Sequence, residues 1–248
     1  MAATIDLAMA GGPAAFTCRG TIQSHRLGTR RLLLLFGERH SLKPFIRNTL
    51  LNVIELDKLG LLSCVGVEGH PDQDMPGWEA KRAFESLQTE YSGDDEKMVE
   101  EMLRALNGRN YFWKTLVLMR PNLKVQSVDD SELCDRASAL EGPWCSQRRD
   151  YIRESLRQSD LFEVAGFEAT PAERDRQIEA KVALQLEQEW AEHEVNEARD
   201  GKMLENLLAL WKESGPEKIA VLNAGSSHQW RIARLLKADI SFYHIEQP

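Results

Sequence analysis

Four short apolar runs in this 248-residue sequence end in side chains able to move protons, hold metals or grip anions. Residues 32–36 lead into Gly37-Glu38-Arg39-His40, and residues 61–67 into Glu68-Gly69-His70. Residues 123–128 lead into Asp129-Asp130, and residues 218–222 into Asn223-Ala224-Gly225-Ser226-Ser227-His228. A carboxylate beside an imidazole can activate water, pass a proton to a leaving group or ligate a divalent cation. Glu68 follows a run of buried character, where an unpaired charge is expensive. It therefore reads either as a general base or metal ligand, or as the partner of an arginine such as Arg39 or Arg199. His25, His193 and His244 have no such context and read as structural or exposed.

The elements that must position these groups follow from the same runs. Continuous apolar stretches bounded by glycine or polar residues suit strands covered on both faces, as in a parallel sheet. Between the first two runs, Ile46, Leu50, Val53 and Ile54 share one helical face, with Pro44 in the first turn and Gly60 after the end. That is a βαβ unit. Parallel strands bring their C-terminal ends to one edge, where open α/β sheets bind ligands. Glu38, His40, Glu68 and His228 are then expected to line one cleft.

The rest of the chain is read more coarsely. Residues 71–120 form a helical insertion or cap, and 172–213 a long helical stretch that ends at Gly215-Pro216. A last helix is expected over 229–237, an edge strand over 240–245, and a β-hairpin over 13–30 with its turn near Gly28. The whole is expected to be one α/β domain, residues 1–248, with a mostly parallel central sheet flanked by helices.

Composition narrows the function classes. Lys and Arg number 31 against 39 Asp and Glu, a formal charge of −8 that disfavours duplex nucleic acid and anionic membranes as partners. No apolar run approaches the roughly 20 residues of a membrane span, and the N-terminus lacks a basic n-region. The four cysteines form no Cys-x-x-Cys pair, which suits reduced thiols and a cytoplasmic location.

The strand–Gly-Glu-x-His opening, the glutamate after the second strand and the closing strand–Gly-x-x-His resemble the erythromycin esterase-like, ChaN-like and TraB/Tiki-like superfamily. The stretch Ala198-Arg199-Asp200-Gly201-Lys202-Met203-Leu204-Glu205-Asn206 is similar to that superfamily's helix with Arg, Met and Asn. The resemblance implies an active-site role for Glu38, His40, Glu68 and His228, with Arg199 as a supporting cation expected to touch Glu68 or Glu38. It also implies hydrolysis of an ester or peptide bond in a small-molecule or peptide substrate. The alternative is a non-enzymatic binder of haem or another small anionic ligand. His40 and His228 with one glutamate, Glu68 or Glu38, supply mixed N/O donors that Zn, Mn or Co accept, leaving the other glutamate as base.

Overall fold

The computed structural model describes residues 2–29, 31–38, 43–69, 76–106, 111–158, 170–215 and 218–246, without the side chains of residues 38, 111 and 158. The fold is α/β, and the chain divides into two compact units. The first comprises Met1–Asp130 and Asp200–Pro248, the second Ser131–Arg199.

The first unit is built on a six-stranded sheet. Its strands are β3 (Thr21–Arg26), β4 (Leu32–Glu38), β5 (Leu62–Val67), β6 (Val125–Ser127), β7 (Ile219–Gly225) and β8 (Ser241–Glu246). Their order is β3-β8-β4-β7-β5-β6, parallel throughout except for the antiparallel pair β3–β8. The apolar runs are strands for the reason the sequence suggests: residues 32–37, 62–67 and 219–224 are buried whichever face they point to. Alternation then divides them. Leu34, Phe36, Val65 and Val221 join one core, and Leu33, Leu35, Cys64 and Leu222 the other.

Helix α1 (Lys43–Lys58) covers the first face, contributing Ile46, Leu50, Val53 and Ile54 as its pattern predicts. Three further helices run between β5 and β6: α2 (Trp78–Glu90), α3 (Asp95–Ala105) and α4 (Tyr111–Met119). Their apolar residues, among them Met98, Met102, Phe112 and Leu116, belong to the same core as α1. This is the expected helical insertion, packed as part of the sheet's cover. The second face is covered by Met203, Leu207 and Trp211 of α7 (Glu194–Ser214) and Ile232 of α8 (Ser226–Leu235). Gly66 permits that packing, because a Cβ there would meet Leu207 Cδ1 at 2.7 Å and Val128 Cγ1 at 2.9 Å.

Two expectations are corrected. Residues 13–30 are not one hairpin. β2 (Phe16–Arg19) pairs antiparallel with β1 (Ala2–Ile5) in a separate two-stranded sheet, and β3 pairs with β8. The buried Asn52 of α1 explains where β2 goes: its side chain accepts from Arg19 N (2.9 Å) and donates to Arg19 O (2.8 Å). Nor is β8 an edge strand, since β3 lies outside it and β4 inside.

The second unit contains α5 (Ser131–Gln158), α6 (Pro171–Ala191) and the start of α7. Ile152, Ile178, Val182 and Leu186 form its small core, with Trp144 against them. Arg148–Glu189 and Arg153–Glu179 ion pairs link α5 to α6. A capping box between Thr170 and Glu173 starts α6, with Pro171 at its first position. Helix α5 follows Asp129-Asp130 directly and continues through Pro143. Among the described residues no helix is long and apolar enough to cross a membrane.

Candidate functional site

Three strands deliver the site to the C-terminal edge of the sheet. β5 ends at Val67, and the chain stays attached for one more residue, because Glu68 N donates to Asn223 O of β7 at 3.0 Å. β7 ends at Gly225, which is also the N-cap of α8. Glycine has no capping side chain, so the first orphan N–H groups of the helix need another acceptor. Glu68 provides it from the neighbouring strand: its Oε2 accepts from Gly225 N at 2.7 Å. The carboxylate thus sits at the positive end of a helix. β4 ends beside the same glycine, with Glu38 in register with Gly225. Gln229 of α8, fully buried, holds that end of β4 through an Nε2 bond to Phe36 O at 3.1 Å.

Helix α8 carries the other half. His228 and Arg231 are one turn apart, so they share a face. Both grip Asp200 of α7, whose carboxylate is completely buried. His228 Nδ1 lies 2.5 Å from Asp200 Oδ1, and Arg231 Nε donates to Asp200 Oδ2. The other nitrogen of His228, Nε2, lies 3.3 Å from Glu68 Oε1. The result is a row of alternating charge: Arg231, Asp200, His228, Glu68. The Nη1 and Nη2 groups of Arg231 are buried and have no hydrogen-bond partner among the described residues.

Burial is the largest influence on His228 and pulls its pKa down. The charge of Glu68, the hydrogen bonds to Asp200 and Glu68, and the charge of Asp200 together outweigh it and raise the value to about 9. The ring is therefore an imidazolium at neutral pH, and both its nitrogens are donors. Each points at a carboxylate, which is the pairing an imidazolium requires.

Of the residues expected at the site, Glu68 and His228 are brought together. Glu38 is placed at the same edge by its backbone, while its side chain and His40 lie outside the described residues, as does His70. Arg199 is buried in α7, immediately before Asp200. Asp129 serves the neighbouring loop, its Oδ2 accepting from Gly69 N at 3.3 Å and its Oδ1 from Asp130 N at 2.9 Å. The sequence reading missed Asp200, Arg231 and Gln229. The i, i+3 spacing of His228 and Arg231 was the available signal for one of them.

Among the described residues no group of three or more His, Cys, Asp or Glu is placed to hold a metal ion. Two of the three expected ligands adjoin, but His228 Nε2 and Glu68 Oε1 face each other, and the third, His40, is outside the described residues. Cysteine chemistry is disfavoured at the core thiols, since burial pushes both Cys18 and Cys64 up to about 12. His244 is held below its ordinary value by burial, and His25 stacks on Tyr243, so neither adds to the site.

Fold and site together define an α/β protein with a buried carboxylate–imidazolium–carboxylate row at the C-terminal edge of a parallel sheet. Comparison with protein-family models, with curated proteins and with solved structures found no match to this chain.

Proposed function

We propose that the chain is a hydrolase of ester or peptide bonds in which Glu68 is the base and His228 the acid. The observation that carries this reading is the imidazolium of His228 held between Asp200 at 2.5 Å and Glu68 at 3.3 Å. Glu68 is one-seventh exposed at its side chain, so the row opens on its Glu68 side and is closed at Asp200. A water beside Glu68 gives its proton to the carboxylate as its oxygen attacks the substrate carbonyl carbon. The tetrahedral intermediate then collapses, and the departing oxygen or nitrogen takes the Nε2 proton of His228. Glu68 returns its proton to His228 across the contact between them, restoring the starting state. Asp200 orients the ring through Nδ1 and stabilises its charge, as the carboxylate does in a Ser-His-Asp triad. Arg231 pairs with the other oxygen of Asp200, so the buried carboxylate is not left with one partner. The Gly-x-x-His strand endings that resemble the erythromycin esterase-like superfamily support the same chemistry.

The test is turnover of a panel of small esters and short peptides by the wild type, Glu68→Gln and His228→Asn, each with and without a chelator. Hydrolysis by the wild type, falling about 10²–10⁴-fold in each variant, is the expected result. Turnover that survives both substitutions, or a wild type with no activity on any substrate, would overturn the reading. Activity abolished by the chelator and restored by Zn, Mn or Co would return the base and acid roles to a metal centre.

A further inference from the structure

A second site lies at the other end of the sheet. A cavity of about 530 Å³ opens beside the N-terminal ends of β4 and β8, within the range of roughly 300–1,000 Å³ common for small-ligand sites. β4 is seven residues long, so this cavity is about 20 Å from the Glu68–His228 edge. Leu208, Ala209 and Ile240 give it an apolar lining. Arg31, Lys212 and Lys237 bring three cations to it, against the single carboxylate of Asp239. In a chain of net charge −8 that is a local reversal of sign.

The two lysines are not consumed by the structure around them. The carbonyls between α8 and β8 are served by Arg26, whose Nη2 donates to Leu236 O and Ile240 O at 3.1 Å each and to Lys237 O as well. Lys212 and Lys237 are exposed and make no ion pair among the described residues. Arg31 is held in place by its guanidinium lying 4.8 Å over the Trp211 ring. Its bond to Asp239 is long, at 3.4 Å, which leaves the guanidinium loosely paired.

We infer that this cavity binds a small organic anion with an apolar body, such as an alkyl carboxylate. Its carboxylate would be met by the charges of Arg31, Lys212 and Lys237, and its chain would lie on Leu208 and Ile240. The site is separate from the hydrolytic edge and does not depend on the hydrolase reading.

Calorimetric titration with octanoate tests it, with octanamide as the uncharged comparator, on the wild type and on the Lys212→Glu, Lys237→Glu double variant. Both lysines are exposed, so the variant keeps its core, and thermal unfolding confirms that. Sub-millimolar octanoate binding is expected, at least tenfold weaker for octanamide and at least tenfold weaker in the variant. No heat from millimolar octanoate, equal binding of the amide, or unchanged binding by the variant would overturn the inference.

Discussion

Asp200 is held at both carboxylate oxygens by a single helix, with His228 on Oδ1 and Arg231 on Oδ2, one turn apart on α8. Because the second grip falls on Oδ2, Arg231 balances the buried charge of Asp200 without touching the imidazole. His228 Nε2 faces Glu68 Oε1 at 3.3 Å on its other side. The Arg231–Asp200 pair is thus distinct from the His228–Glu68 contact to which we assign the proton transfers.

Stability should depend on pH through His228. Its pKa rises from 6.5 to about 9 on folding, so the folded state binds this proton more tightly than the unfolded chain. The contribution is complete below pH 6.5 and is lost as pH rises through 9, about 3 kcal/mol in all. Urea unfolding at intervals from pH 6 to pH 10 should show that decline, and His228→Gln should remove it. A wild type equally stable across the interval would contradict the charged ring.

Asp200→Asn should be among the most damaging single changes in the first unit. It leaves His228 and Arg231 buried with no ionised partner on this side, and breaking such a pair costs about 3–5 kcal/mol. Chemical denaturation of the variant would measure this. A loss under about 1 kcal/mol would mean that the row is satisfied by other means.

Gly66→Ala tests the packing that sets the sheet against α7. The added methyl would lie 2.7 Å from Leu207 Cδ1 and 2.9 Å from Val128 Cγ1, both in buried residues, so about 1–3 kcal/mol of destabilisation is expected. Combining it with Leu207→Ala should cost less than the two changes added separately, since the second relieves the first. Strict additivity in the double-mutant cycle would show that the contact is not the cause.

Much of this architecture could be read directly from the chain, because the decisive signals are local. Continuous apolar runs identify β4, β5 and β7, since a strand covered on both faces has no polar side to show. The 3.6-residue stripe of Ile46, Leu50, Val53 and Ile54 identifies α1. Parallel order then carries Glu68 and His228 to the same edge, so the meeting of these two could be expected from residues 160 positions apart. What tertiary structure alone decided are the pairings between distant segments. β8 is an inner strand only because β3, more than 200 residues earlier, adds outside it. Asp200 sits in an ordinary helical stretch, and nothing within a turn of it marks it as the residue that α8 will clamp. A buried charge must be paired, but its own neighbours in sequence do not say by which residue. Close packing of α7 and α8 on one face of the sheet makes that choice, and with it the charge state of His228.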